Sequence, residues 1–185
     1  MRYHLFLIPL FLCFTSPDNE VTLSWRDNLK LTWNDFKGEK NRETDAVAVT
    51  ASGISFAYSV RKANSRIIDF KAVVEAHFYP NRSWVKKELA DDYILAHEQL
   101  HFDITELHVR KFRKQMHTVK VSERLGSVLD KLHLNINNEL ATMQNQYDKE
   151  SNNSINKDAQ AKWIVFVAKE LKKYEAFKSK GESRY

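Results

Sequence analysis

The chain is poor in the residues that break or cross-link a fold. It has 185 residues but only four glycines, three prolines and one cysteine. The single Cys13 excludes an intramolecular disulfide, so outside the cell the fold would depend on packing or on a metal ion. The scarcity of glycine and proline excludes collagen-like and low-complexity chains. The length fits one domain, and 43% hydrophobic with 29% charged residues is typical of a globular protein.

Long apolar runs are also missing. Arg2 precedes an apolar stretch over residues 5–14, which is well short of the roughly 20 residues that a membrane-spanning helix needs. This pattern is typical of a cleaved secretory signal peptide. We therefore predict a signal peptide at residues 1–16, a single domain over residues 17–185 and no stable membrane insertion after cleavage. The alternatives are a buried N-terminal helix or strand, and lipidation at Cys13.

The first half of the chain has the alternating pattern of strands. The breakers between them, at residues 38–41, 51–53 and 62–65, predict turns. We expect an antiparallel sheet of three or four strands, built from Leu29–Trp33, Ala46–Thr50, Ile54–Val60 and Ile67–Phe78.

The second half has the helical period instead. A first helix is expected from about Ala90 to His117, and a second follows Ser122 as N-cap, with an apolar stripe from Leu125 to Tyr147. The polar segment 151–157 separates it from a third helix. Strands followed by three helices predict an α+β fold.

The first helix contains the sequence His97-Glu98-Gln99-Leu100-His101, the HExxH pattern of zinc hydrolases. Residues four apart lie about 40° apart on a helix and roughly 6 Å along its axis, so both imidazoles can bind one zinc ion. Glu98 lies about 100° away, close enough to take a proton from a zinc-activated water. We predict His97 and His101 as metal ligands and Glu98 as the catalytic base.

A catalytic zinc site normally has a third protein ligand. His108 is roughly 10.5 Å further along the helix, too far to reach the same ion, and is expected either to be structural or to support a ligand without binding the ion itself. Glu106 points away from the two histidines, while Asp103 and Thr105 could orient their imidazole rings. The sequence leaves several candidates for the third ligand: Glu139, Asp148, Glu150, Asn153, His77 and His133.

The segments 31–38, 83–86 and 97–107 together resemble the bacterial family described as predicted secreted zinc-dependent proteases, domain of unknown function 922. The resemblance covers about residues 25 to 170. It implies a zincin-like metal helix with His97 and His101 as zinc ligands and Glu98 as general base, in a protein that is secreted or periplasmic.

The family pattern after Tyr147 and Asp148 has a threonine and then a histidine, where this chain has Ser151 and Asn153. If that histidine is the family's third ligand, Asn153 offers a weaker amide oxygen. Asp148 or Glu150 could compensate, because carboxylates also bind zinc. The third ligand is therefore Asn153, Asp148 or Glu150.

Two functions follow from this pattern. The first is a secreted or periplasmic zinc metallopeptidase, or a related amidohydrolase, that hydrolyses a peptide or amide bond of a peptide or protein substrate. The alternative is a non-catalytic envelope binding module on a zincin scaffold with a weakened metal site. The net charge of +5 favours anionic contacts, but solvated helix faces account for it, and we expect no nucleic-acid partner. The oligomeric state is left open.

Overall fold

The computed structural model describes residues 20–41 and 43–179. The predicted signal peptide lies outside the described residues. Strands come first and helices after, so the predicted α+β class is confirmed. Among the described helices, none is long and apolar enough to cross a membrane.

Three long helices form the second half: α1 (Asp92–Met116), α2 (Leu125–Ser151) and α3 (Lys157–Lys173). The N-cap of α1 is Asp91, whose side chain accepts a hydrogen bond from the backbone N–H of Ile94 at 2.7 Å. This contact satisfies one of the free N–H groups in the first helical turn.

The predicted N-cap of the second helix is wrong. Helix α2 begins at Leu125 after Arg124, which makes no side-chain cap, and Ser122 contributes only its carbonyl oxygen to the turn before the helix.

Within residues 20–41 and 43–179, five strands form two antiparallel sheets rather than one. β1 (Leu23–Ser24), β4 (Arg66–Phe78) and β3 (Ser52–Ala63) make a three-stranded sheet in the order β1-β4-β3. β2 (Ala48–Val49) pairs separately with β5 (Trp84–Val85), a strand that the sequence pattern did not indicate.

The predicted strand over Leu29–Trp33 is wrong. Residues Trp33–Asp35 form a 3-10 turn instead, because the Asp35 carboxylate accepts hydrogen bonds from the backbone N–H and hydroxyl of Thr32. The N–H of Leu31 donates to the side chain of Gln99 on α1. Local and tertiary partners thus take the place of a neighbouring strand.

The predicted turn at residues 51–53 is also wrong, because β3 begins at Ser52. A Cβ atom at Gly53 would lie 3.3 Å from the ring of Tyr79. The glycine therefore allows a close side-chain contact within a strand rather than a chain reversal.

Helix α1 lies at the centre of the molecule and contributes to two hydrophobic clusters. Phe102, Val109 and Phe112 pack against the sheet. Leu100 and Ile104 pack with residues of α2 and α3. This central position buries both histidines of the HExxH motif at the boundary between α1 and the other two helices.

Candidate metal centre

Helix α1 brings the two motif histidines together as its period requires. Their ring centroids are 4.9 Å apart, and the Nε2 atoms of His97 and His101 lie 3.3 Å apart. Both residues are buried, with 4% and 8% of their surface exposed. The predicted convergence of the two imidazoles is therefore present.

Helix α2 supplies a third donor, the carboxylate of Asp148. Its Oδ1 atom lies 2.8 Å from Nε2 of His101 and 3.2 Å from Nε2 of His97. The Asp148 side chain is 37% exposed, so the cluster is open to solvent on this side.

The three donor atoms lie close enough together to hold one metal ion. Bonds of about 2.0–2.1 Å in tetrahedral geometry place neighbouring ligand atoms roughly 3.3 Å apart. The observed separations in this triad are 3.3, 3.2 and 2.8 Å, and the cluster qualifies as a group able to hold a metal. Two imidazoles and one carboxylate also form a common catalytic donor set for zinc.

The charge state of Asp148 suits this role. Partial burial alone would raise the pKa of its carboxyl group, but the hydrogen bonds and charges of His101 and His97 outweigh burial and hold the pKa well below its usual range. Asp148 is therefore an anion at neutral pH and can coordinate a cation.

The aromatic ring of Tyr147 supports both imidazoles. It stacks on His97 with centroids 4.5 Å apart and meets His101 edge-on at 5.1 Å. Burial, reinforced by the charges of Glu98 and Asp148, raises the pKa of the Tyr147 phenol. Its hydroxyl is buried and has no hydrogen-bond partner among the described residues.

Glu98 keeps its carboxylate free. The residue is only 4% exposed, yet its side chain makes no hydrogen bond or ion pair with the residues that the structure describes. Its backbone carbonyl accepts a hydrogen bond from the hydroxyl of Thr50 at 3.2 Å. A carboxylate that no described residue bonds is available to accept a proton.

A further residue of the site, Gln160 on α3, was missed by the sequence analysis. Its Oε1 lies 3.3 Å from Nδ1 of His97, and its Nε2 donates to the carbonyl oxygen of Tyr93 at 3.2 Å. The sequence feature that could have pointed to Gln160 is its spacing. It precedes Trp163 by three residues and Val167 by seven, and both of these residues are buried. That spacing places Gln160 on the buried face of α3 but cannot identify its partner.

The other two candidates for the third ligand are engaged elsewhere. Glu150 accepts hydrogen bonds from Nε1 of Trp163 and Nε2 of Gln146, both at 2.8 Å. Asn153 lies in the turn after α2 in a left-handed conformation, and its N–H donates to the backbone carbonyl of Asp148. Of the three residues left open by the sequence, the structure brings Asp148 to the imidazoles.

The remaining candidates lie apart from this cluster. His77 contacts Ser24 and Glu75 on the sheet, and His133 packs between aromatic rings. Glu139 lies beside Lys111, on the rim of a separate cavity.

Asp103 and Thr105 do not orient the imidazoles, so that expectation is wrong. Asp103 lies two residues after His101, about 200° around the helix, and accepts hydrogen bonds from Trp25 and Gln99. The Thr105 hydroxyl donates to the backbone carbonyl of His101 and contacts the hydroxyl of Ser52.

The expectations for His108 and Glu106 are confirmed. His108 is buried, and its Nδ1 bonds the carbonyl oxygen of Ile104 at 2.8 Å. Glu106 is buried in an ion pair with Arg110 at 2.8 Å. Neither side chain belongs to the cluster of His97, His101 and Asp148.

Comparison with known proteins gives one family. Neither curated proteins nor solved structures show a significant match to the chain. A family model described as a bacterial protein of unknown function, DUF922, matches residues 26–156, which include the histidine pair, Glu98 and Asp148. The chain therefore belongs to the bacterial DUF922 family.

Proposed function

We propose that this protein is a zinc-dependent metallopeptidase of the bacterial envelope, with His97, His101 and Asp148 as the metal ligands. The observation that carries the proposal is the convergence of three donor atoms, from two helices, at separations of 2.8 to 3.3 Å. Glu98 directly follows His97 in the sequence, and its carboxylate, which no described residue bonds, favours hydrolysis over a purely structural metal site.

Each residue has a defined task in this proposal. Asp148 is anionic and offsets one of the two charges of a divalent cation, while the imidazoles donate neutral nitrogens. A bound zinc would supply Lewis acidity, lowering the pKa of water towards neutrality and polarising a carbonyl group. Glu98 would accept the proton of the attacking water and then deliver it to the leaving amine.

The sheet offers a place for an extended substrate. β3 is a terminal strand of the three-stranded sheet, and its first residue, Ser52, contacts Thr105 one helical turn beyond His101. A peptide adding to a sheet edge near the motif helix would bind through its backbone. This arrangement supports a zincin-like interpretation and a peptide or protein substrate.

The proposal is tested by metal content and activity. We expect mass spectrometry of the purified protein to detect about one zinc per chain; the same measurement detects iron, which two histidines and a carboxylate can also bind. Glu98→Gln should keep its zinc but lose about 10²- to 10⁴-fold in hydrolysis of a peptide library, the usual contribution of a general base.

The ligand assignment has a matched control. Asp148→Asn should lose zinc, whereas Glu150→Gln should retain both zinc and activity because Glu150 bonds Trp163 and Gln146 instead. If the protein contains no zinc even after reconstitution, the proposed enzymatic function is contradicted. The alternative, a non-catalytic envelope binding module, is then favoured.

A further inference from the structure

We propose that Gln160 is a positioning residue that holds His97 in the tautomer and orientation required for metal binding through Nε2. This inference rests on the proposed metal site and adds to it a residue from a third helix. Gln160 lies beyond residues 26–156, the segment that the family model matches.

The first argument is the orientation of the Gln160 side chain. Its amide nitrogen lies 3.2 Å from the carbonyl oxygen of Tyr93, which can only accept a hydrogen bond. The amide oxygen therefore faces Nδ1 of His97 at 3.3 Å. Because this oxygen carries no proton, Nδ1 of His97 must be the donor. Nε2 faces Asp148 and His101, and on binding a metal it would give up the proton that it otherwise donates to Asp148.

The second argument is the rigidity of Gln160. The residue is fully buried. Asn156, the N-cap of α3, accepts a hydrogen bond from the N–H of Ala159 through its side chain and one from the N–H of Gln160 through its carbonyl. The amide can therefore impose its geometry on the imidazole rather than follow it.

The third argument is the difference between the two histidines. No described residue bonds Nδ1 of His101; the nearby Gln144 reaches only its backbone carbonyl, at 3.4 Å, and the hydroxyl of Thr105. Metal-bound histidines usually donate their second nitrogen to a partner that fixes the ring. Among the described residues, a side chain bonds the second ring nitrogen of His97 but not that of His101. This side chain is Gln160 on α3.

The test compares zinc affinities measured by competition with a chromogenic chelator. Gln160→Met has nearly the same size but lacks both hydrogen bonds, and we expect its zinc dissociation constant to rise about 10- to 100-fold, the usual effect of losing such a partner. Gln160→Glu keeps an acceptor facing Nδ1 and should recover most of the affinity. The control Gln144→Met removes a glutamine that bonds α1 without touching an imidazole, and it should bind zinc as the unsubstituted protein does.

A second measurement separates positioning from a merely structural role. Long-range ¹H–¹⁵N correlations of the zinc-loaded protein should show a protonated Nδ1 and a coordinated Nε2 in His97, and the Nδ1 proton should exchange faster in Gln160→Met. Circular dichroism of the metal-free variants checks that each is folded.

The outcomes are distinguishable. If Gln160→Met is folded and binds zinc with unchanged affinity, or if His97 of the unsubstituted protein coordinates through Nδ1, the inference is overturned while the metal site stands. If the failure of Gln160→Met to bind is shared by Gln160→Glu and Gln144→Met, a specific role of the Nδ1 contact is excluded. If the unsubstituted protein binds no metal, the proposed function fails, and the inference fails with it.

Discussion

At the scale of single residues, the identity of each polar group decides what the site can do. The two histidines would remain a pair of buried polar rings without Asp148, which contributes the anionic donor. Asp148 is recognisable as a candidate in the sequence, but so are Glu150 and Asn153, each within five residues of it. Glu150 points to another side of α2 and Asn153 lies in the turn after it, so the packing of α2 on α1 brings Asp148 to the histidines.

His108 leads to a prediction about pH. Burial lowers the pKa of His108 from 6.5 to about 4, with a smaller effect of Lys111 in the same direction, although the bond to Ile104 opposes both. Between these pH values the unfolded chain binds a proton that the folded chain excludes, so folding becomes less stable as pH falls. We expect His108 to contribute a loss of about 2 kcal/mol between pH 7 and pH 5.

The measurement is urea unfolding of the metal-free protein at both pH values, in the presence of a chelator. His108→Leu has no titratable group at this position. Between pH 7 and pH 5 its free energy of unfolding should therefore fall by about 2 kcal/mol less than that of the unsubstituted protein. Equal losses for the two proteins would contradict the assignment.

At the scale of elements, the ends of helices and strands and the turns between them are fixed by local side chains and backbone angles. The loop between β3 and β4 is two residues long, with Asn64 at φ 48° and Ser65 at φ 63°. Two consecutive positive φ values are typical of the type I′ turn, which prefers Asn-Gly. The sequence predicted a turn here, but the serine left its type undefined.

We predict that Ser65→Gly stabilises the protein by about 1 kcal/mol, because glycine adopts the left-handed conformation without the penalty of a Cβ atom. Thermal and urea unfolding measure this change. Ser59→Gly, an exposed position within β3 that faces Lys71 on β4, is the control and should destabilise the protein. A decrease in stability for Ser65→Gly would show that the turn has another geometry.

The error over Leu29–Trp33 has a tertiary cause. Leu29–Trp33 alternates like a strand, but the 3-10 turn is stabilised by Asp35 and the N–H of Leu31 is satisfied by Gln99, 68 residues away. Such a partner leaves no trace in a local pattern. The helices were predicted well because their apolar spacing extends over several turns.

At the scale of the whole molecule, a buried ion pair connects α1 to the C-terminal segment. Arg110 bonds Glu106 at 2.8 Å and the carbonyl oxygen of Leu171 at 2.7 Å, and its guanidinium lies 5.2 Å from the ring centre of Trp25. Glu106 also accepts hydrogen bonds from the backbone N–H and hydroxyl of Ser179. These contacts hold Leu171 and Ser179 against the side of α1 that faces away from the histidines.

We predict that Arg110→Met destabilises the protein by about 3–5 kcal/mol, because it leaves the fully buried carboxylate of Glu106 without its cation. Glu106→Gln should remove that charge, so the double variant should be more stable than Arg110→Met alone. Urea unfolding of the four proteins forms a double-mutant cycle. Additive effects would show that the pair does not interact.

The sequence by itself determined the α+β order, the three helices and the two histidines with Glu98 on one helix, because these features depend on residue type and on periods that repeat within a few turns. Only the tertiary structure decided that Asp148 joins the histidines, that Gln160 holds His97, and that five strands divide into two sheets. These contacts link residues 47 to 63 positions apart at the site. They are set by how α2 and α3 pack against α1, which depends on the shapes of all three surfaces at once.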